Sequence, residues 1–418
     1  MNSQKSFQNI TILPNKVFFS VLRSEPRSTP QMLYFSVENE PHFQYRGFFD
    51  DFGPPSLLQL YSFTKMIENF MAQSNMVLHF YVSPNQSAKS NAAVFISSFR
   101  MLHCKMNAEE SFKPLRPISS TLKPFRDAST LPSTFDLSVL DCLRGLQHAI
   151  ELGWFNIDTF DPETWARIEA IENGDMNWLI PNKLLAFASP YSTNILPGGF
   201  RVATPATVIP EFKNLGITHV IRLNKPFYDC EEFKQAGFKH TELYFLDGST
   251  PPQHILEDFL KIAETDEIIA LHCKAGLGRT GTLAGCYMIK NHGFTAREAI
   301  GWIRLCRAGS IIGPQQQYLL QYYNEIQRPQ TDANHVHEPL VQLGSHSKRL
   351  IRNTGKGVKV NDAENGRKGK WKRQDTARAP IRRPFRPAGD NLCVRATPIN
   401  SFHPQPRKIN QKEVNRGN

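Results

Sequence analysis

The run His272-Cys273-Lys274-Ala275-Gly276-Leu277-Gly278-Arg279-Thr280-Gly281 constrains this chain more than any other segment. It follows the apolar run Ile268–Leu271 and precedes Thr282–Ile289, which places it between a buried strand and a helix. The first amides of a helix have no intrahelical acceptor, and with the helix dipole they form an anion site. Small residues and glycines let successive amides curl onto one phosphate. The candidate phosphate ligands are therefore the amides of Lys274, Ala275, Gly276, Leu277, Gly278 and Arg279, with the Arg279 guanidinium as a planar two-point clamp. The same positive field favours an anionic sulfur on Cys273, already placed where a phosphorus atom would arrive. A lone cysteine would read as a small buried hydrophobe. Here it coincides with the strand, the glycines, an Arg five residues beyond and a hydroxyl at Thr280, and that coincidence points to a nucleophile.

A cysteine nucleophile needs a proton donor for the leaving oxygen. Asp247 follows a hydrophobic strand and opens the turn Gly248-Ser249-Thr250-Pro251, so it can stand beside the phosphate pocket. It can equally serve as a turn cap, which Asp commonly does. Thr280 can donate to the Cys273 sulfur as that sulfur departs, or cap the helix start, or both. Residue type alone marks Gln315 and Gln316 as surface amides on a loop after the helix Ala296–Cys306. His272 is assigned a structural role, supporting the loop backbone.

The body of the chain reads as a duplication. The order Asp-turn, helix, strand, His, loop, helix runs through Phe48–Phe99 and again through Tyr244–Ile289. In the first copy Phe80 follows His79, and Val82–Ser90 offers no Arg to clamp a phosphate, so that copy is expected to be catalytically inert. Apolar residues at helical spacing over Leu137–Leu152 predict a helix joining the halves. Strands at Lys183–Ala188 and Thr218–Leu223, with a helix over Val208–Leu215 ended by Gly216, indicate an α/β sheet.

Charge separates the body from the end of the chain. Residues 345–418 hold 19 Lys+Arg against 5 Asp+Glu, which leaves the rest at a balance of −3. Rich in Pro, Gly and Asn, this tail reads as disordered, suited to import receptors or other anionic partners. No sequence-reading module accompanies the charge, which excludes specific nucleic-acid binding. The seven cysteines show neither metal-ligand nor disulfide spacing, as in a reducing compartment. Met1–Asn15 has no signal-peptide core and no run reaches about 20 apolar residues, so no integral membrane segment is expected.

Three motifs together, His272–Thr282, Phe245–Pro251 and Gly309–Gln316, resemble the cell-division-cycle fourteen phosphatases of mitotic exit. The likeness extends upstream through Tyr34–Glu40, Pro124–Ser129, Leu140–Leu143 and Glu172–Asp175. It implies an α/β chain of two tandem dual-specificity-phosphatase-like domains joined by a helix. The expected bounds are a non-catalytic domain over 10–135, a linker region over 136–178, a catalytic domain over 179–328, and the disordered basic tail. It further implies hydrolysis of phosphoserine, phosphothreonine and phosphotyrosine through a phosphocysteine. The implied preference is for phosphoserine-proline sites made by cyclin-dependent kinases. Cys273 would be the nucleophile, Arg279 the clamp and Asp247 the acid. The pair Gln315-Gln316 would hold the hydrolytic water, and an acidic groove at Glu169, Glu172 and Asp175 would favour a basic residue downstream. No cofactor or metal is called for. The resemblance and the tail place the protein in nucleus, nucleolus and cytoplasm, with centrosome or spindle as further sites. A phosphoinositide phosphatase would carry a second loop Lys where Leu277 stands, and a scaffold with a relic loop would not retain every catalytic side chain.

Overall fold

The computed structural model describes residues 9–196 and 199–328. The basic tail, with every expectation placed on it, lies outside these residues. Two mixed sheets carry the fold. The first runs Ile10–Leu13, Val17–Val21, Val77–Val82, Met32–Phe35 in spatial order, with Val77–Val82 parallel to both of its neighbours. The second runs Lys239–Glu242, His219–Arg222, Ile269–Cys273, Leu184–Ala188, Met176–Ile180, with Ile269–Cys273 again between two parallel neighbours. Met176–Ile180 closes one edge antiparallel. Each central strand runs into a loop and a long helix, Gln86–Cys104 in the first half and Gly278–His292 in the second. The repeated order seen in the sequence is therefore a repeated topology. Ile269–Cys273 is buried at every position, so its near-continuous apolar run is that of a strand covered on both faces.

Helices start earlier than the periodicity indicates. Gly278 opens the helix expected from Thr282, because Arg279 and Thr280 are polar yet buried over the site. Pro314 opens a helix to Gln327 where a loop was expected, since Gly313 supplies the positive φ that turns the chain and Pro suits the first helical position. Gln315 and Gln316 thus sit in a helical first turn, wholly buried, which corrects their reading as surface amides. The polar edge strand Lys239–Glu242 is absent from the sequence reading because it has no apolar alternation to betray it.

The joining helix, Val139–Glu151, does more than link. It starts at a Ser138–Asp141 capping box and lies against Ala296–Cys306 of the second half. Glycines permit the close approach: a Cβ on Gly145 would fall 2.4 Å from the Glu298 carbonyl oxygen, and one on Gly301 2.8 Å from that of Asp141. One continuous apolar cluster consequently runs from Phe80 and Phe95 through Leu143 and Leu146 to Trp302 and Leu283. Gly301→Val is expected to force the two helices apart and lower stability by about 1–3 kcal/mol, measured by urea unfolding against the unsubstituted chain.

Candidate active site

Cys273 ends its strand and is almost wholly buried, at the base of the loop that leads to Gly278. The loop's carbonyls are spoken for. Ser189 N–H donates to the Lys274 oxygen at 3.1 Å. Arg307 donates from Nη2 to the Ala275 oxygen at 2.9 Å and from Nε to the Gly276 oxygen at 2.8 Å. Gly281 N–H donates to the Leu277 oxygen at 2.9 Å. With its oxygens drawn outward, the loop keeps its N–H edge for an anion. Gly276 makes the turn at φ +64°, and a Cβ there would lie 2.1 Å from the Phe187 carbonyl oxygen, so only glycine fits.

Arg307 is itself fully buried. Its Nη1 donates to the Asn177 Oδ1 at 2.7 Å and to the Asp175 carbonyl and Oδ1 at 2.8 and 3.1 Å. The charge is thus paired and the guanidinium cannot swing. Sequence reasoning missed this residue, since nothing at Arg307 marks it apart from any other Arg at a helix end.

Arg279 lies in the first turn of the helix, anchored by Nη1 to the Leu223 and Phe245 carbonyls at 3.1 and 2.9 Å. Its Nη2 reaches the Asp247 Oδ1 at 3.1 Å. The Asp247 side chain is 56% exposed, on a loop at the mouth, whereas Asp51 of the first half is buried and capped by Phe48 N–H, Phe49 N–H and the Tyr45 hydroxyl. The two Asp-turns of the repeat have therefore diverged, one into a buried, capped carboxylate and one into an exposed carboxylate paired with Arg279. Thr280, in the first turn of the same helix, is buried, and its hydroxyl oxygen has no partner among the described residues.

The two glutamines separate. Gln315 donates to the Ser249 carbonyl at 3.0 Å, on the Asp247 loop, and accepts from Ile312 N–H at 3.0 Å. A Cβ on Gly278 would lie 2.8 Å from its Oε1, so it packs on the phosphate loop's own helix start. Gln316 turns the other way and accepts from Arg304 Nη2 at 2.8 Å. The first half reaches in here: Asp127 Oδ2 accepts from Gly313 N–H at 2.7 Å, at the N-terminus of the glutamine helix.

Behind the loop runs a buried hydrogen-bonded chain. The Cys273 carbonyl can only accept, so His272 Nδ1 is the donor at 3.2 Å. His272 Nε2 then accepts from the Tyr228 hydroxyl at 2.8 Å, and Tyr228 in turn accepts from His240 Nε2 at 2.9 Å. Burial pushes the His272 pKa down to about 3 and, with Arg222 nearby, that of His240 to about 4. Both rings are neutral at neutral pH, which fixes the direction of the chain, and His272 keeps its structural role.

Two family models match the chain, "Dual specificity protein phosphatase, N-terminal half" over residues 11–149 and "Polymorphic toxin system, DSP-PTPase phosphatase" over 201–293. The dual specificity protein phosphatase CDC14AB of Danio rerio is 44% identical over 73% of this chain and 51% of its own length. CDC14A of Homo sapiens is 41% identical over 73% of this chain and 52% of its own. CDC14C of Homo sapiens is 39% identical over 74% of this chain and 69% of its own. The chain belongs to the CDC14 family of dual specificity protein phosphatases. It spans about half the length of the first two of these CDC14 relatives. The α/β architecture of two tandem phosphatase-like units is that of the family. Among the described residues no helix is long and apolar enough to cross a membrane.

The acidic residues expected to line a CDC14 specificity groove do not form one surface. Glu172 is exposed. Glu169 is half-buried and accepts from Asn177 Nδ2 at 3.1 Å. Asp175 is buried, with Oδ1 on Arg307, which makes it a support of the phosphate loop where a surface carboxylate was expected. The sequence offered its charge and its place near the other acids, but not its partner 132 residues away.

Arg307→Lys keeps the charge and removes the fork. It is expected to cut kcat/KM on a phosphopeptide by about tenfold or more, because a loop displaced by about 1 Å can cost a hundredfold. Folding lowers the His272 and His240 pKa values from 6.5, so below that pH the unfolded chain binds more protons than the folded one. Stability is expected to fall as pH drops from about 6.5 towards 4. Urea midpoints at both ends of that range check this, and His240→Gln should flatten the slope.

Proposed function

We propose that this chain is a cysteine-dependent protein phosphatase that hydrolyses phosphoserine, phosphothreonine and phosphotyrosine, with a role in the cell cycle. The observation that carries this reading is that the buried Cys273 ends its strand at the foot of the loop that opens the Arg279 helix, with the exposed Asp247 carboxylate 3.1 Å from the Arg279 fork. The names of the CDC14 relatives, which are dual specificity phosphatases, support it.

The reaction has two steps. The Cys273 thiolate attacks phosphorus in line while the loop amides of residues 274–279 and Arg279 hold the equatorial oxygens. The oxygen–phosphorus bond of the substrate breaks and Asp247 gives its proton to the departing hydroxyl. In the second step Asp247 takes a proton from water, the water oxygen bonds phosphorus, and the Cys273 sulfur leaves. Thr280, whose buried hydroxyl oxygen has no partner among the described residues, donates to that sulfur. Gln315 holds the water, because it bridges the Asp247 loop and the start of the catalytic helix, while Gln316 is occupied by Arg304. The first half performs no chemistry: Phe80 follows His79, and the Glu38 carboxylate accepts from Ser83 N–H and Oγ at 2.8 and 2.7 Å in the loop after the central strand.

Preference for phosphoserine followed by Pro is part of the proposal, carried by family membership. With Asp175 committed to Arg307, a basic residue downstream is read by Glu172 and Glu169 alone. Residues 345–418 serve as an import and anionic-docking segment, giving a nuclear and nucleolar pool beside a cytoplasmic one.

Acid-quenched Cys273 enzyme under turnover is expected to carry a phosphoryl group on that sulfur by mass spectrometry, and an unmodified residue would sink the mechanism. Gln315→Ala should raise the trapped fraction and slow steady-state turnover by about tenfold or more, with Gln316→Ala leaving the trapped fraction unchanged. Asp247→Ala is expected to lower kcat by about a hundredfold or more with binding retained, measured on peptides that vary Pro at the next position.

A further inference from the structure

The buried chain behind the catalytic loop does not end at His240. His272 spends its Nδ1 hydrogen on the Cys273 carbonyl, Tyr228 spends its hydroxyl hydrogen on His272, and His240 spends its Nε2 hydrogen on Tyr228. With Nε2 turned to Tyr228, His240 leaves its Nδ1 for another partner. Nδ1 faces Glu242 Oε1 at 3.4 Å across a narrow gap, and the same oxygen accepts from Arg222 Nη2 at 2.6 Å. The His240 side chain is 1% exposed, which fixes the direction in which Nδ1 points.

The third wall of the gap is a thiol. His240 and Glu242 are two apart on an edge strand and so share a face, and Cys230 comes from the start of the short helix Glu231–Gln235. The Cys230 sulfur, the His240 nitrogen and the Glu242 oxygen lie within 4.8 Å of one another. We propose that Cys230, His240 and Glu242 form a zinc site at the outer end of the hydrogen-bonded chain that reaches the Cys273 carbonyl.

The donor set selects the ion. One sulfur, one imidazole and one carboxylate suit borderline-soft Zn²⁺ with water in a fourth position, and do not suit Mg²⁺ or Ca²⁺, which require oxygen cages. The surroundings fit as well. A ligating imidazole needs its other nitrogen held by an acceptor, and Tyr228 does this. Arg222 forks onto Glu242, Nε to Oε2 at 2.9 Å and Nη2 to Oε1 at 2.6 Å, which fixes the carboxylate. Zinc would take up Cys230 as its thiolate, with release of the thiol proton, so that thiolate and Glu242 together offset the Arg222 charge beside the ion. The shared oxygen also draws on Arg222, so the zinc affinity is set against that fork. Metal on Nδ1 makes the Nε2 hydrogen a stronger donor and tightens the chain to the catalytic loop. The site takes no part in phosphoryl transfer and stands or falls apart from the reaction proposed above.

The test uses the full chain with Cys273→Ser, because the nucleophilic thiolate would itself take up zinc. Zn²⁺ is titrated in competition with a chromophoric chelator, and Co²⁺ in its place is read by thiolate-to-cobalt charge-transfer absorption. One equivalent is expected, with affinity at least tenfold weaker after Cys230→Ser or Glu242→Gln and the absorption band lost with Cys230. Tyr228→Phe should weaken binding about tenfold, as loss of a supporting hydrogen bond does. Absence of an equivalent, or one whose affinity and band survive Cys230→Ser, would overturn the proposal. Should Cys230→Ser unfold, Zn²⁺ must still shield Cys230 from iodoacetamide in the Cys273→Ser chain, followed by peptide mass spectrometry. Alkylation at an unchanged rate overturns the site by itself. A doubly protonated His240 seen by nitrogen NMR at neutral pH with one equivalent of Zn²⁺ present would do the same, since a proton would then hold the nitrogen that the metal needs.

Discussion

A single buried guanidinium organises the catalytic half. Arg307 ties two consecutive carbonyls of the phosphate loop outward and is itself locked by Asn177 and Asp175. A loop that must offer its amides to an anion has to dispose of its oxygens elsewhere, and a planar five-donor fork does this where a point charge would not. Burial makes the arrangement stiff as well as costly to break, because an unpaired charge in that position would be left uncompensated. The loop is therefore shaped from behind, by residues that hold its carbonyl oxygens.

The two halves show how one topology can be turned to different ends. Both place a strand, a loop and a long helix in the centre of a mixed sheet. In the first half the loop accepts an internal carboxylate, Glu38, and the Asp-turn is knotted up on Asp51. What that half supplies instead is position. Asp127 caps the helix that carries Gln315, and Thr134 accepts from Gln317 on the same helix at 3.1 Å. The joining helix, packed on Ala296–Cys306 through Gly145 and Gly301, leaves the halves one core to share.

Much of this was legible before any coordinates. Cys273, Arg279 and the glycines announce themselves because an anion loop has few chemical solutions and all its parts are local. Asp247 is legible only as one of two readings, since a turn cap and a proton donor look alike in sequence. Gln315 was misplaced on the surface because glutamine's average exposure outweighed a Gly-Pro helix start. Asp175 is expected in an acidic groove from the resemblance, its charge being visible in the sequence and its partner Arg307 not. Arg307 carried no signal of any kind, as a distant arginine has no periodicity that ties it to a loop.

The amino-acid order by itself determined the Cys-Arg loop, the α/β alternation and the repeated order of elements. These depend on neighbours within a few residues, where backbone geometry and side-chain type act together. Only the tertiary structure decided which carboxylate pairs with Arg279, which glutamine packs on the Gly278 helix start, and which cation holds the loop's carbonyls. Those choices rest on burial and on hydrogen bonds between segments more than a hundred residues apart, such as Arg307 with Asp175 and Gly313 with Asp127. Contacts of that separation exist only once the core has closed, because the energy that selects them is the cost of leaving a buried polar group unpaired.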